Sequence, residues 1–296
     1  MKTLREYIKE AEERKVAIGH FNISNLEALH GIYNAAKNLS ASGGANVPVI
    51  IGLSEGEEEF VGKNEAVALI REIREKDNFP IFLNADHHYS FESVKSVLDA
   101  GYDSAIIDAV KLPLEENIAL TKKCVDYAKE LSQKTGRDIL IEAELGFIGT
   151  SSKLLEEIPE EISEATMTKP EDAKIFVQNA GIDLLAPSVG NIHGMIKSGN
   201  PKLDIKRIKQ IREACGVPLV LHGGSGILDE DFKNAIKAGI SVIHINTEIR
   251  VAYKQALEKF LRENPNEVAP YKILKPATDA IEKIVESRLR LFSGLE

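Results

Sequence analysis

The chain has 296 residues, 43% of them hydrophobic and 28% charged, and carries a formal net charge of −9. The composition is that of a globular protein with a sizeable core, and the length suits one large barrel, which takes about 250 residues. The acidic balance argues against a nucleic-acid partner, because phosphate backbones are bound by basic faces. It leaves a small phosphorylated substrate open, since a few local cations and helix N-termini can hold a phosphate.

The N-terminal segment and the two cysteines predict a cytoplasmic protein. Residues 3–14 have the pattern of a charged helix instead of a signal peptide. The longest apolar runs fall far short of the ~18 residues that suggest a membrane span. Cys124 and Cys215 lie in helix-like stretches with no CxxC motif, so we expect free thiols in a reducing compartment.

Eight short apolar runs alternate with helical patterns along the whole chain. The runs are nearly continuous in apolar residues, as expected for parallel strands covered on both faces. Helices at 90–101 and 229–239 each open on a capping residue and close on a glycine. Eight βα units without a linker predict one α/β domain over 1–296, a (β/α)8 TIM barrel. A doubly wound open sheet is the alternative, disfavoured because no GxGxxG follows the first run. The runs are 16–22, 47–53, 80–85, 104–109, 138–144, 183–188, 217–222 and 241–246.

Three segments stand outside this regular alternation. The helix at 3–14 is predicted to plug the bottom of the barrel. The long stretch 146–168 after the fifth run is predicted to be a mobile active-site lid, because long loops in compact domains are usually functional or disordered. A C-terminal helical extension at 277–291 could form a subunit interface or pack on its own barrel, and its pattern fits both.

Polar residues collect at the C-terminal ends of the runs, where a barrel has its active face. Five of the seven histidines lie there, and His20 and His30 are expected to be structural or merely nearby. Three imidazoles from separate strands, with an open fourth position, are what a catalytic zinc site needs. The histidines at the run ends are His87, His88, His193, His222 and His244, and we predict His87, His193 and His222 as the metal ligands.

Two further features complete the predicted site. Asp86, beside His87, would move a proton near the metal or accept a hydrogen bond from a ligand histidine. The small-residue loop 222–226 (His-Gly-Gly-Ser-Gly) lets backbone N–H groups approach a phosphate, and Ser225 adds a donor. Phosphate sites after the seventh and eighth strands recur in this fold.

Five motifs in this order resemble those of the class II (zinc-dependent) fructose-bisphosphate and tagatose-bisphosphate aldolases. The resemblance covers nearly the whole chain. The motifs are Asp86-His87, 142–146 (Glu-Ala-Glu-Leu-Gly), 190–194 (Gly-Asn-Ile-His-Gly), 221–226 (Leu-His-Gly-Gly-Ser-Gly) and 246–250 (Asn-Thr-Glu-Ile-Arg).

The resemblance implies a role for each matched residue. His87, His193 and His222 would bind the catalytic zinc, which would chelate the ketose carbonyl and stabilise an enediolate. Asp86 would transfer the proton at the nascent aldehyde, and Asp108 and Glu144 could hold a second divalent metal. Arg250 would grip the far phosphate, and Ser54 matches a substrate contact. The dihydroxyacetone-phosphate end, with a monovalent cation, would occupy a pocket formed by Gly194, Gly223, Ser225, Asn246 and Thr247.

The chain departs from the family pattern at several places. His244 stands where an asparagine that contacts the substrate is usual, His88 where a small residue is common, and Asn246 replaces an aspartate of some fructose-bisphosphate enzymes. The lid lacks the usual Gly-Gly followed by acids, with Ser151 and Ser152 at the aligned places. The candidates for its proton-transferring acid are Glu156, Glu157, Glu160 and Glu161.

We therefore expect a cytoplasmic enzyme of carbohydrate metabolism, of the kind that serves glycolysis, and a homodimer or larger. It would cleave fructose 1,6-bisphosphate reversibly to dihydroxyacetone phosphate and glyceraldehyde 3-phosphate. Tagatose 1,6-bisphosphate or another keto-sugar phosphate is an alternative substrate. A barrel metallohydrolase is a second alternative, although the first run has a single histidine, His20, instead of an HxH pair. A sugar-phosphate binder without activity is the third, suggested by His244 and the altered lid.

Overall fold

Eight parallel strands close into a barrel. The computed structural model describes residues 1–43, 46–149, 153–159 and 162–295. Every one of the eight predicted runs contributes a barrel strand, which confirms the predicted (β/α)8 fold. The barrel strands are Ile18–Asn22 (β1), Val49–Ser54 (β2), Ile81–His88 (β3), Ser104–Ile107 (β4), Leu140–Leu145 (β5), Leu184–Pro187 (β7), Leu219–Leu221 (β9) and Ile240–Ile245 (β10). Their order around the barrel is β1-β10-β9-β7-β5-β4-β3-β2.

Helices surround the barrel, and a small parallel sheet lies in the loops above it. Leu154–Leu155 (β6) and Met195–Ile196 (β8) form that two-stranded sheet, and Glu164–Thr166 is a single 3-10 turn. The helices of the described residues are Leu4–Arg14 (α1), Leu26–Gly43 (α2), Glu55–Val61 (α3), Lys63–Asp77 (α4), Phe91–Ala100 (α5), Leu114–Thr135 (α6), Pro170–Ala180 (α7), Ile205–Cys215 (α8), Asp229–Ala238 (α9), Thr247–Glu263 (α10) and Pro270–Ser293 (α11).

The predicted helix starts are right at one position and wrong at another. Ser90 caps α5, its side chain accepting a hydrogen bond from the Ser93 amide. Asp229, expected to cap α9, is instead the first helical residue, and Leu228 occupies the cap position without a side-chain hydrogen bond. An acidic residue stabilises a helix both at the cap position and in the first turn, where it interacts with the helix dipole. The sequence pattern therefore does not show which of these two positions Asp229 occupies.

The barrel interior changes from apolar to polar along each strand. Because side chains alternate across a strand, residues two apart face the same side. On β1 the buried inward series is Ile18, His20 and Asn22, and on β3 it is Phe82, Asn84 and Asp86. The lower end of the barrel is therefore filled by hydrocarbon, and the upper end presents polar groups to the loops.

Helix α1 closes the lower end, as predicted. Leu4, Ile8 and Ala11 are buried on one face of the helix and pack against the apolar residues that begin the strands. Arg5 ties the helix to the barrel through Asp138 (2.9 Å) and Asp183 (2.6 Å). The barrel residues of this cluster are Ile18, Ile50, Phe82, Leu140, Leu184, Val220, Val242 and Ala186.

The C-terminal helix α11 packs on its own barrel along its apolar face. Ala277, Ile281, Val285, Leu289 and Phe292 are buried at spacings of three and four, against α2, α10 and β1. Packing on its own barrel, one of the two roles that the pattern of 277–291 allowed, is therefore confirmed. Among the described residues, no helix is both long and apolar enough to cross a bilayer.

Candidate active site

His87 has a left-handed backbone conformation, with φ at 51°. On an ideal strand its side chain would point away from Asp86, toward the surrounding helices. The positive φ coincides with a shift of register between Ala85 and His88 where β3 pairs with β4. As a result Asp86 and His87 both face the barrel mouth, with Asp86 Oδ1 3.7 Å from His87 Nε2. Such a conformation costs about 1–3 kcal/mol and persists only where surrounding contacts hold it.

The three histidines predicted as metal ligands come together with one carboxylate. His87, His193, His222 and Glu144 each present a ligand atom, and these four atoms all lie within 4.8 Å of one another. Glu144 Oε1 is 2.6 Å from His222 Nδ1 and 3.5 Å from His87 Nδ1. Both Glu144 Oε1 and His222 Nδ1 are buried without a hydrogen bond of acceptable geometry, so they point at a common space. Nitrogen and carboxylate donors around such a space fit a divalent metal of the zinc type.

The rings of His222 and His193 are oriented by the atoms behind them. His222 Nε2 lies 2.7 Å from Glu142 Oε1, and Asn191 donates to the His222 carbonyl oxygen at 3.0 Å. His193 Nδ1 donates to the Gly149 carbonyl oxygen at 2.7 Å. In each ring one nitrogen is engaged and the other is left for the centre, the arrangement found around metal-bound histidines.

The charges of the cluster shift the titration of its members in opposite directions. Burial opposes ionisation of Glu144, but the neighbouring His87 and His222 outweigh it and lower its pKa to about 2. Burial alone would lower the pKa of His87, yet Glu144, Asp86 and Asp108 raise it to about 9. Burial lowers the pKa of His193 to about 4, so that ring is neutral. The cluster thus combines an ionised carboxylate with imidazole nitrogens for which a metal ion and protons would compete.

Asp86 is held by hydrogen bonds and charges on several sides. Asn22 donates to its Oδ2 at 2.8 Å, and His244 Nδ1 lies 3.6 Å from its Oδ1. Burial opposes the charged form, but His87, His244 and His20 together keep the pKa of Asp86 well below its usual range. A fixed, ionised carboxylate at the mouth of the barrel can accept a proton from a bound hydroxyl group.

A stack of three imidazole rings lies beneath Asp86. His20 and His244 are parallel with ring centroids 3.5 Å apart, and His244 stacks on His222 at 4.0 Å. Asn84 donates to His20 Nε2 at 3.0 Å. His244 therefore supports a candidate metal ligand and also lines the cavity. The expectation that His20 is structural fits this position, whereas His30 lies in α2, outside the cluster.

His88 lies behind the site instead of in it. The ring is buried against α3, 3.5 Å from Glu58 and 3.7 Å from Glu55. Burial lowers the pKa of His88 to about 4, so it is a neutral packing residue.

A cavity of about 410 Å³ opens above these groups. Eleven of the thirteen residues predicted from the sequence line it, and the other two, His222 and Glu144, lie buried beneath it at 1% and 3% exposure. The predicted lining residues are Ser54, Asp86, His87, Asp108, His193, Gly194, Gly223, Ser225, Asn246, Thr247 and Arg250.

The carboxylates predicted for a second metal, Asp108 and Glu144, both lie close to His87 Nδ1, at 3.1 and 3.5 Å. Asp108 lies at the cavity wall with Oδ2 3.1 Å from His87 Nδ1, where it orients that ring. Glu144 instead belongs to the four-residue cluster with the three histidines.

The loop after β9 has the conformation expected if its backbone N–H groups are to approach a phosphate closely. Gly223 has φ at 60°, and a Cβ there would collide with the Ile192 carbonyl oxygen, so only glycine fits. The Ser225 hydroxyl accepts a hydrogen bond from the Glu248 amide at 3.1 Å, and Glu248 accepts from the Gly226 amide at 2.8 Å. These contacts join the loop to the start of α10, where Asn246 and Thr247 lie.

The described part of the predicted lid, 146–168, is tied to the loop after β7. Leu154–Leu155 pairs with Met195–Ile196, and the His193 amide donates to the Ile148 carbonyl oxygen at 2.8 Å. Glu156 forms an ion pair with Lys197, and Glu157 is exposed. Ser151, Ser152, Glu160 and Glu161 lie outside the described residues.

Several residues of the site were not predicted. Glu142 was visible as an acid on the fifth run, but nothing in the sequence showed that it faces His222. Asn22 and Glu57 form a buried network with Asp86 and Arg250, the Arg250 guanidinium pairing with Glu57. The Ser-x-x-Glu pattern at 54–57 is a capping box and was the available signal for Glu57.

Fold and site together define a (β/α)8 barrel in which a group of histidine and glutamate side chains suited to bind a metal lies beneath a cavity lined by several acidic residues. A model of the family described as "Fructose-bisphosphate aldolase class-II" matches residues 2–295. The chain belongs to this family, whose members are lyases. The match confirms the predicted family and the predicted enzyme class.

Relatives and solved structures agree with this assignment. A fructose-bisphosphate aldolase of Geobacillus stearothermophilus is 37% identical over 296 residues, covering 99% of this chain and 96% of the relative. One of Staphylococcus epidermidis is 36% identical over 294 residues, covering 98% and 96%. The crystal structure of the YdjI aldolase from Escherichia coli K12 superposes with a TM-score of 0.80 at 31% identity, covering 98% of this chain and 96% of that one.

Proposed function

We propose that the chain cleaves fructose 1,6-bisphosphate reversibly to dihydroxyacetone phosphate and glyceraldehyde 3-phosphate, with a zinc ion held by His87, His193 and His222. The observation that carries the proposal is that the ligand atoms of these three imidazoles and of Glu144 all lie within 4.8 Å of one another. The cavity above them is lined in part by the glycine-containing loop after β9, which is suited to bind a phosphate. The names of the relatives favour fructose 1,6-bisphosphate over the tagatose isomer. When bound, zinc would supply a Lewis acid for the ketose carbonyl.

Asp86 is the proposed proton acceptor at the carbon chain of the substrate. It is ionised, lines the cavity and is kept in place by Asn22 at 2.8 Å. Cleavage of the bond between C3 and C4 requires removal of the C4 hydroxyl proton as the aldehyde forms, and a carboxylate at the mouth can take it.

The two ends of the substrate have separate proposed sites. The backbone at Gly194 and Gly223, with Ser225, Asn246 and Thr247, would bind the phosphate next to the ketone, with a monovalent cation. Ser54 and Arg250, which both donate to the Glu57 carboxylate, line the same cavity and would contact the far phosphate end. Asp108 and Glu144 are proposed to hold a second divalent ion.

Several properties of the whole enzyme belong to the same proposal. Residues 146–168 would act as a mobile lid on the single domain, with an acid such as Glu156 or Glu157 serving the second proton transfer. The enzyme would be a homodimer or larger. The two free cysteines, Cys124 and Cys215, fit a place in the reducing cytoplasm.

A coupled aldolase assay on fructose and tagatose 1,6-bisphosphates tests the function. Cleavage of the fructose compound is expected to disappear in excess EDTA and to return with zinc. Activity that persists in EDTA, together with trapping of substrate by borohydride, would contradict the metal-dependent reaction. Release of inorganic phosphate without cleavage of the carbon chain would favour the hydrolase alternative.

A further inference from the structure

Glu57 is a buried carboxylate beside the cavity that accepts hydrogen bonds from several donors. The Ser54 amide and hydroxyl each donate to Oε2 at 2.9 Å, and Asn22 donates to the same oxygen at 2.8 Å. The Ser24 hydroxyl donates to Oε1 at 3.2 Å, and Arg250 Nη2 donates to Oε1 as well. Only 7% of the Glu57 side chain is exposed. Each of these neighbours is a donor, so both oxygens of the carboxyl group are engaged as hydrogen-bond acceptors.

Arg250 thus lines the cavity while its guanidinium is already paired with Glu57. Its side chain is 42% exposed, while the carboxylate that it contacts is shielded from water. A second phosphate arriving at Arg250 would have to share the guanidinium with Glu57 and would feel the negative charge behind it.

Apart from its histidines, the rest of the described cavity wall carries neutral or acidic side chains. Among the described lining residues, Arg250 is the only lysine or arginine. Glu55, with 43% of its side chain exposed, lines the same cavity and adds another negative charge. The residues at 150–152 are Thr, Ser and Ser, so they bring no positive side chain.

We propose that Glu57 is a specificity-determining residue that neutralises Arg250, so that the far phosphate adds little to substrate selection and ketose 1-phosphates with an uncharged far end are also substrates. This inference rests on the proposed aldolase function and on Arg250 facing the far end. The phosphate next to the ketone is proposed to bind at the loop after β9, and the hydrogen-bond partners of Glu57 lie outside that loop.

The test compares fructose 1,6-bisphosphate with fructose 1-phosphate, using both kcat/KM and the dissociation constant from calorimetry. The wild-type preference for the bisphosphate is expected to stay below about tenfold, since each tenfold corresponds to about 1.4 kcal/mol and an arginine already paired has little left to contribute. Glu57→Gln keeps the capping geometry, because glutamine also accepts at that position. It should raise the preference by about fivefold or more as the opposing charge is removed.

Two matched variants separate this role from a structural one. Glu59→Gln removes the same charge from an exposed position on the same helix and should leave the preference unchanged. Arg250→Gln should lower the preference, in both wild-type and Glu57→Gln backgrounds. A wild-type preference above about tenfold, or a Glu57→Gln preference equal to that of wild type, would overturn the inference.

Failure of the aldolase proposal has a different signature. A protein that cleaves neither ketose contradicts the proposed reaction, while the ratio of the two dissociation constants still decides the role of Glu57. If that ratio is the same in wild type and in Glu57→Gln, the inference is wrong regardless of turnover.

Discussion

His222 and Glu142 form a buried pair, with His222 Nε2 2.7 Å from Glu142 Oε1 and both side chains at most 4% exposed. Burial raises the pKa of Glu142, and contact with His222 opposes that shift. The pair sets which nitrogen of His222 faces Glu144, because the Nε2 position is used by the hydrogen bond to Glu142. Glu142, which is not among the described residues that line the cavity, therefore orients a candidate metal ligand.

Glu142→Gln is expected to weaken zinc binding by about 10–100-fold, the usual effect of removing a partner of a ligand histidine. Competition with a chelator of known affinity measures this change, and activity should recover at higher zinc concentration. Glu92→Gln, which changes an exposed acid on α5 outside the site, is the control. A zinc affinity equal to that of wild type would show that Glu142 does not orient His222.

Asp86→Ala is expected to lower kcat by about 10²–10⁴-fold, the range attributed to a positioned acid or base. Since Asp86 is not among the four clustered ligand residues, zinc content and dihydroxyacetone-phosphate binding should be kept. Rapid-quench or coupled assays measure kcat, and metal analysis checks the centre. A variant that turns over at the wild-type rate would exclude Asp86 as the proton acceptor. The same variant distinguishes an enzyme from a binder, because a binder has no turnover to lose.

Ile8→Ala tests the plug formed by α1. Ile8 is 2% exposed and packs against the apolar floor of the barrel, so the cavity should cost about 2–5 kcal/mol of unfolding free energy. KM should not change, because the floor lies at the opposite end from the cavity. Urea unfolding measures the loss, with the exposed Lys9→Ala as the control. An unchanged midpoint would mean that α1 does not stabilise the barrel.

Cys124 is expected to resist thiol reagents until the protein unfolds. Burial raises its pKa from 9.0 to about 12, so at pH 10 the folded protein keeps the thiol protonated while the unfolded chain is mostly thiolate. The folded state then binds more protons, and this contribution to stability is full below pH 9.0 and is lost as the pH rises toward 12. Thiol titration at pH 10 with and without denaturant checks it. Fast labelling of Cys124 in the folded protein would contradict the burial.

The sequence alone determined the architecture because barrel strands and helices have strong local signatures. Continuous apolar runs and capped amphipathic segments specified eight βα units, and histidines at run ends marked the active face. The match of five motifs supplied the family. These features depend on neighbours along the chain, and they could be predicted without coordinates.

Tertiary structure decided which of the polar residues face one another. His87 reaches the site through its left-handed backbone, a result of the register shift between β3 and β4 that no residue pattern reveals. Glu142 and Glu144 are two apart on one strand, yet only closure of the barrel brings both against His222, 80 and 78 residues further along the chain. Glu57 meets Arg250 in the same way, across 193 residues. Such contacts depend on strand order and register, and sequence periodicity encodes neither.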